Sequence, residues 1–303
     1  MTALFTLIHP LVDGCSVSVL VAGGMTWERV VAYNAMAFAL QLPVGVFMDE
    51  WPNFNRLGFF FGMGMTCAAA VLAAIGYGGW GILSMACIGN ALFHLTAGKR
   101  ILETSEGRAG PIGLFISTGA LGLMAGQAWV TKAAAICLWF FAGLLAVFVA
   151  LAAVLESCKR KHMNECIERM ERGGKNASIL VLCGLFALIA WRSWAGLFAS
   201  GLSSRGCVLM MLVGAVSIFI GKVVGGYLAD RIGCWKVVWA SVFGSIALVF
   251  ACDPSWAVPW LSLLFISQLA TGPVLSLAYD RAGKRGGFAF GLNCLGLFTG
   301  SVA

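Results

Sequence analysis

The polar side chains with the clearest potential for chemistry are His9 and Asp13, which lie four residues apart in an apolar stretch near the start of the chain. On a helix, this spacing puts both side chains on one face. A carboxylate inside hydrocarbon is costly unless it lines a cavity or has a partner. The pair is therefore a candidate to exchange a proton or to bind a cationic group, with His9 as the partner of Asp13. A structural pair that fixes helix packing is the alternative.

Other polar residues fall inside later apolar stretches. Asn90 and His94 form a second pair four residues apart, with His94 close to the end of its stretch. Arg192 has three open interpretations: it pairs with Asp13, it contacts an anionic substrate, or its side chain reaches the outer interface. Three amides near the centres of their stretches complete the candidates for a substrate or proton path, although single amides more often join helices: Gln41, Gln268 and Asn293.

The composition defines the elements that must position these residues. Of 303 residues, 60% are hydrophobic and 11% are charged, whereas about a quarter are charged in soluble domains. Apolar windows of about twenty residues recur, enough to cross a membrane as helices, and no segment alternates like a barrel strand. We expect an all-α membrane protein with about eleven transmembrane helices, at approximately 3–24, 29–49, 57–77, 79–97, 110–130, 133–156, 178–200, 207–229, 236–252, 257–279 and 286–303.

Several classes of function find no support in the sequence. The 11 cysteines are scattered, with no C-x-x-C pair and no Cys/His cluster at metal-ligand spacing, so we predict neither a metal site nor a cofactor. There is no Walker loop or nucleophile elbow, which argues against ATP-driven transport and against an enzyme. The net charge of +7 is spread over short loops, so we predict no nucleic-acid partner.

The distribution of basic residues predicts the orientation. Fifteen of the 20 Lys and Arg residues fall in one set of alternate loops, which the positive-inside rule places in the cytoplasm together with the amino terminus. The longest connection, 157–177, carries both signs of charge and is either an amphipathic helix on the inner leaflet or a solvated linker. We therefore predict a six-helix bundle over 1–156, this linker, and a bundle of about five helices over 178–303.

The two bundles repeat each other. Gly45-x-x-x-Asp49 recurs as Gly226-x-x-x-Asp230, Ala-Gly-Lys-Arg at 97–100 recurs at 282–285, and Leu-Gly-Leu-Met-Ala-Gly at 121–126 recurs as Leu-Gly-Leu-Phe-Thr-Gly at 295–300. The matches keep the same order at nearly constant offset. Since the halves are six helices apart, they predict parallel repeats about an axis along the membrane normal.

The second copy resembles the cytoplasmic signature of the major facilitator superfamily, through Gly226, Asp230, Arg231, Gly233 and Lys236. The first copy keeps Gly45 and Asp49 but has Glu50 at the usual basic position, and Arg56 comes late. The resemblance implies two six-helix domains, and a chain that ends after an eleventh span is then expected to be truncated before a twelfth.

The resemblance also implies a role for the two aspartates in a cytoplasmic gate. Asp49 is expected to face the amino-terminal end of the eleventh span near Gly286 and Gly287, and Asp230 the fifth span near Gly110. In the family, such contacts hold the domains together on the cytoplasmic side and break as the carrier rocks.

The expected function is secondary active transport of a small solute by alternating access in a bacterial-type inner membrane. We expect coupling to protons, with symport or antiport left open, and a monomer surrounded by lipid. The alternative is a transporter-like sensor or scaffold that does not transport and uses the basic linker as an interaction surface.

Overall fold

The computed structural model describes residues 2–51, 53–159, 179–202, 208–251 and 257–302. Helices and their connecting turns make up these ranges, and no strand occurs within them. In chain order the helices are α1 (Thr2–Ala22), α2 (Trp27–Asn34), a π-helical turn (Ala35–Ala39), α3 (Gln41–Glu50), α4 (Phe54–Ala74), α5 (Trp80–Thr104), α6 (Ala109–Lys159), α7 (Ile179–Leu202), α8 (Val208–Ile232), α9 (Cys234–Ala251), α10 (Ala257–Gln268), α11 (Thr271–Arg281) and α12 (Gly286–Val302).

These helices confirm the prediction of an all-α membrane protein. Eight segments of the described chain are long and apolar enough to span a membrane, and one of them, Ala109–Leu155, has 47 residues, about twice the length that one crossing needs. Two shorter apolar helices correspond to α9 and α12. With α6 counted as two crossings, the described segments match the eleven predicted spans. The linker 157–177 lies mostly outside the described residues.

Two spans are interrupted where the sequence disfavours a regular helix, and a bend separates two further spans. The second span contains the π turn, in which the Leu40 amide donates to the Ala35 carbonyl at 3.2 Å. Pro43 follows and has no amide hydrogen for the Ala39 carbonyl, so regular α-helical bonding fails here. The tenth span breaks between α10 and α11, four residues before Pro273, for the same reason. The helix α6 bends at Ala133, where φ is −156° and ψ is 69°.

The fourth span continues further than the sequence predicts. We expected it to end at residue 97, with Lys99 and Arg100 in a loop, but α5 runs to Thr104. The Lys99 ammonium is buried and lies 2.8 Å from Asp49 and 2.5 Å from Glu103. Because carboxylates surround this charge, the helix can keep it inside the bundle.

The helix α6 is packed closely between α1 and α8. A methyl group added to Gly122 would collide with the backbone of Pro10 in α1, and one added to Gly113 would meet the Lys222 carbonyl in α8. Small residues at such positions allow helix backbones to approach each other. The helix α6 therefore contacts elements of both predicted bundles and positions the side chains described next.

Candidate functional site

The two polar pairs predicted from the sequence form a single cluster in the structure. His9 and Asp13 of α1 meet Asn90 and His94 of α5, and all four side chains are buried. The Nε2 atoms of the two histidines are 2.6 Å apart. They lie 3.1 Å (His9) and 3.4 Å (His94) from the carboxylate oxygens of Asp13. We call these four residues the His–Asp cluster.

Backbone carbonyls fix the orientation of both imidazoles. The His9 Nδ1 atom lies 2.6 Å from the Phe115 carbonyl, and the His94 Nδ1 atom lies 2.8 Å from the Asn90 carbonyl. A carbonyl oxygen only accepts, so each Nδ1 atom carries a hydrogen. In two neutral rings, both Nε2 atoms are then acceptors, and they converge on each other and on a carboxylate. This arrangement requires a further hydrogen among the three groups.

Neighbouring side chains complete the cluster. The Asn90 amide donates to Asp13 Oδ1 at 2.9 Å and to the Ser16 hydroxyl at 3.2 Å. The Thr118 hydroxyl of α6 lies 3.3 Å from His9 Nδ1. Ser16 follows Asp13 by three residues and lies on the same face of α1, so helical spacing alone indicates it, whereas Thr118 depends on the packing of α6 against α1.

The cluster also has the composition of a metal-binding group. The ligand atoms of His9, Asp13 and His94 lie within 4.8 Å of one another. Two imidazoles on tetrahedral zinc, each about 2.0–2.1 Å from the ion, have nitrogens roughly 3.3 Å apart. The separation of 2.6 Å between the Nε2 atoms instead suits a shared N–H···N hydrogen. Sequence spacing could not reveal this group because its members come from two helices, and the absence of a metal site stays a prediction.

Two basic side chains lie inside the bundle on the helices that follow the linker. Arg192 of α7 is buried and its Nη1 atom donates to Gln268 Oε1 at 2.7 Å. It neither contacts Asp13 directly nor reaches the outer interface. Lys222 of α8 donates from Nζ to the Ile116 carbonyl at 3.1 Å. Lys222 is not among the candidates predicted above, although a basic residue within an apolar span is the signal that indicates it.

The remaining amides have different surroundings. Gln41 donates to the Ala37 carbonyl at 2.7 Å and accepts from the Cys294 thiol at 3.2 Å, so it joins α3 to α12. Asn293 of α12 is buried, and its Oδ1 atom has no hydrogen-bond partner among the described residues.

The two aspartates of the repeated motif lie at helix amino termini of the opposite half. Asp49 accepts hydrogen bonds from the Gly287 and Phe288 amides of α12, both at 2.8 Å. Asp230 accepts from the Ala109 and Gly110 amides of α6 at 2.8 and 2.9 Å. Amides at a helix amino terminus lack partners within the helix and favour a negative charge. We call this end of the bundle the charged end.

The glycines of the motif allow these contacts. A methyl group added to Gly45 would collide with the Gly287 backbone, and one added to Gly226 would meet the Ala109 carbonyl. Gly233 follows α8 with a φ of +100°, a conformation that only glycine adopts readily. The basic members of the motif are exposed: Arg56, Arg231 and Lys236.

In the first copy of the motif, the acidic residues pair with cations that are not at the basic positions expected from the second copy. Asp49 is paired with Lys99 at 2.8 Å and lies 3.9 Å from Arg285. Glu50, which replaces the usual basic residue, accepts from Arg285 at 2.8 Å. The reversal of charge at position 50 is thus matched by a cation across the contact. The sequence gives no direct signal of this pair because its partners are 235 residues apart.

Comparisons with known proteins agree with this arrangement. No family model matches the chain. The fosmidomycin resistance protein of Escherichia coli K12 is 24% identical in an alignment of 339 positions that covers 97% of this chain and 80% of that protein. The crystal structure of the E. coli fucose:proton symporter matches with a TM-score of 0.67 at 13% identity over 99% of this chain and 89% of that one. The chain has the major facilitator fold.

Further solved structures with the major facilitator fold are similar along the whole chain. The same symporter in an outward conformation gives a TM-score of 0.63. An outward-facing bacterial homologue of the iron transporter ferroportin gives 0.56 at 17% identity and covers 99% of this chain and 90% of that one. These proteins are transporters rather than enzymes. The contacts of Asp49 and Asp230 join helices of the two halves at the charged end of this major facilitator fold.

Proposed function

We propose that the protein is a secondary transporter that moves a small solute across a bacterial inner membrane by alternating access, coupled to protons through the His–Asp cluster. The observation that carries the proposal is the convergence of three acceptors, His9 Nε2, His94 Nε2 and the Asp13 carboxylate, within 3.4 Å of one another. Such a group binds one additional hydrogen strongly and releases it when the geometry changes.

The surroundings of the His–Asp cluster support the binding of one proton. Asp13 has an amide donor from Asn90, so its charged form is stabilised even before the proton binds. The other titratable groups that interact with its charge include the two histidines, Tyr33 of α2 and Lys222 of α8. Among these side-chain types, imidazole is the one whose unperturbed form changes its charge in the physiological pH range. Proton uptake and release is therefore assigned to the His9–His94 pair, with Asp13 as its counter-charge.

The contacts at the charged end support alternating access. Opening this end requires Asp49 to leave the amino terminus of α12 and Asp230 to leave that of α6. Each contact consists of charge-assisted hydrogen bonds, worth about 1.5–3 kcal/mol apiece, which is small enough to exchange for new contacts. By the positive-inside rule this end faces the cytoplasm, as does the amino terminus. The symmetric contacts also support two bundles over 1–156 and 178–303, and we propose a lipid-embedded monomer.

Transport into proteoliposomes tests the proposal. The first probe is fosmidomycin, because a relative that covers nearly the whole chain is a resistance protein for it. We expect fosmidomycin to drive proton movement, reported by a pH-sensitive dye trapped inside the vesicles. Asp13→Asn is expected to abolish accumulation driven by a pH gradient, with the protein level kept. Proton-driven accumulation by Asp13→Asn at the normal rate would contradict the role of the cluster.

Two controls separate the alternatives. A protein that binds fosmidomycin but shows neither uptake nor counterflow would support the sensor or scaffold instead of the transporter. Uptake that is lost with EDTA and restored by Zn²⁺ would assign the cluster to a metal rather than to a proton.

A further inference from the structure

Arg192 and Lys222 are two cations inside the apolar bundle that lack a carboxylate partner. Within the described ranges, neither side chain has an Asp or Glu oxygen within 4.0 Å. Arg192 is 6% exposed, and its Nη2 atom is buried with no hydrogen-bond partner in these ranges. An unpaired charge and an unsatisfied donor in such surroundings are both costly.

The neutral partners of these side chains leave donors free. Gln268 accepts one hydrogen bond from Arg192 Nη1, and its oxygen also accepts from Thr271 at 3.3 Å. The Ile116 carbonyl accepts one hydrogen bond from Lys222, whose ammonium has three hydrogens to donate. Neither partner brings a negative charge. The arrangement holds both cations in place without neutralising them.

The two cations belong to one region of the bundle. Gly221, next to Lys222, packs against Phe265 and the Gln268 side chain that holds Arg192, and the charges of Arg192 and Lys222 repel each other. Lys222 also adjoins the His–Asp cluster, because its acceptor Ile116 follows Phe115, whose carbonyl holds His9. Like charges held together inside a membrane protein indicate a site for the opposite charge.

We infer that Arg192 and Lys222 form the binding site for the acidic group of an anionic substrate, a phosphonate, phosphate or carboxylate. The inference rests on the proposed transport function and adds the substrate class to it. The free Arg192 Nη2 and Lys222 Nζ hydrogens donate to oxygens of the anion, and Gln268 positions the guanidinium. Arginine and lysine both bind such oxyanions. The solute is expected to carry its acidic group toward α7 and α8.

The position of Asp13 connects this site to the proton. Asp13 attracts Lys222 when the cluster lacks its extra hydrogen, and it repels an incoming anion. A proton bound in the His–Asp cluster offsets much of the negative charge of Asp13, so Asp13 then attracts Lys222 less and repels the anion less. Anion and proton binding therefore favour each other, and the anion is expected to bind more tightly as the pH falls from 8 to 6.

Ligand-induced thermal stabilisation of the purified full chain tests the site. The probes are methylphosphonate and acetate at millimolar concentration, with L-fucose and choline as neutral and cationic controls. We expect at least one anion, and neither control, to raise the melting temperature. The variants Arg192→Gln and Lys222→Met are expected to bind the anion about tenfold more weakly or worse, since each loses a hydrogen bond from a charged group. Lys132→Gln, which removes an exposed cation, is the matched control and keeps the wild-type response.

The melting temperature without ligand adds an independent readout. Because an uncompensated buried charge destabilises the fold, Lys222→Met is expected to melt at a higher temperature than the wild type. If Arg192→Gln does not fold, the response of Lys222→Met to the anions tests the site by itself. An unchanged anion response in a folded variant, or stabilisation by L-fucose or choline instead of the anions, would overturn the site.

The outcomes separate this inference from the proposed function. Anion binding without counterflow in vesicles would contradict the proposed transport function and support the anion site. Proton-coupled transport that is unchanged in Lys222→Met would contradict the anion site and support the transport function.

Discussion

His9 and His94 direct their Nε2 atoms at each other across 2.6 Å, although 85 residues separate them in the chain. Each ring is held by a backbone carbonyl at its other nitrogen, so neither can turn away without losing that hydrogen bond. The pair therefore has the geometry of one shared hydrogen site built from two helices. Under the proposed function, α1 and α5 are the helices that carry the proton coupling.

Replacement of His94 by glutamine tests this shared site. Glutamine keeps a hydrogen-bonding group but cannot bind a proton in the physiological range, so we expect proton-driven uptake to fall close to background. In a series measured from about pH 5 to 8, the wild-type rate is expected to depend on pH because imidazole binds and releases a proton, whereas the variant rate is expected to stay flat. Uptake measured over this pH series decides the point.

His162 provides the matched control for this experiment, because it lies outside every predicted span, in the predicted linker 157–177. His162→Gln is expected to keep the wild-type pH profile. A His94→Gln variant with the same profile would show that His94 takes no part in proton binding.

The sequence predicts the four residues of the His–Asp cluster but not that they contact one another. Helical spacing identifies the pair His9 and Asp13 and the pair Asn90 and His94, because four residues make about one turn. It cannot say that α1 lies against α5 with these faces in contact, since that depends on long-range packing. For the same reason, Arg192 had three interpretations until its contact with Gln268 excluded the direct Asp13 pair. The spans themselves are predictable because hydrocarbon demands about twenty apolar residues for each crossing.

Lys99 is expected to stabilise the charged end through two carboxylates. Lys99→Met leaves the buried Asp49 side chain and the partly exposed Glu103 side chain without their shared cation, and breaking a buried pair such as Lys99–Asp49 costs about 3–5 kcal/mol. The free energy of unfolding, measured by SDS titration in micelles, is expected to fall accordingly. Combining Lys99→Met with Glu103→Gln is expected to recover part of the loss, because one uncompensated charge is removed.

The exposed residue Lys132 provides the control for the Lys99 and Glu103 variants. Lys132→Met is expected to change the free energy of unfolding by no more than about 0.5 kcal/mol. Equal effects of Lys99→Met and Lys132→Met would contradict a stabilising role for the buried ammonium.

Lys99 also shows where prediction from sequence fails. A lysine after an apolar run indicates the end of a span in the sequence, whereas the structure retains it in α5. The carboxylate that makes this possible belongs to Asp49, 50 residues away. The resemblance to the major facilitator signature did imply that Asp49 faces the start of α12, where it accepts from the Gly287 and Phe288 amides.

The two aspartates of the charged end are expected to differ in their contribution to stability. Both accept two backbone hydrogen bonds, but Asp49 also pairs with Lys99, whereas Asp230 has no cation within 4.0 Å among the described residues. Asp230→Asn loses charge-assisted hydrogen bonding and is expected to cost about 1–3 kcal/mol. Asp49→Asn additionally weakens a buried ion pair and is expected to cost more, about 3–5 kcal/mol. The same SDS titration ranks the two variants, and a larger loss for Asp230→Asn would contradict the comparison.

The last prediction concerns the close approach of α3 and α12. Ala in place of Gly45 puts a methyl group into the Gly287 backbone, which the helices can accommodate only by moving apart, at about 1–3 kcal/mol for the overpacked contact. Because Asp49 lies one turn further along α3, the same movement weakens its hydrogen bonds to Gly287 and Phe288. Gly64→Ala in α4 is the matched control, since nothing lies within 4 Å of the added methyl group, and alanine is favoured over glycine in a helix by about 1 kcal/mol. We expect Gly45→Ala to lower the free energy of unfolding and Gly64→Ala to raise it slightly. If both variants unfold alike, the closed charged end does not depend on this glycine contact.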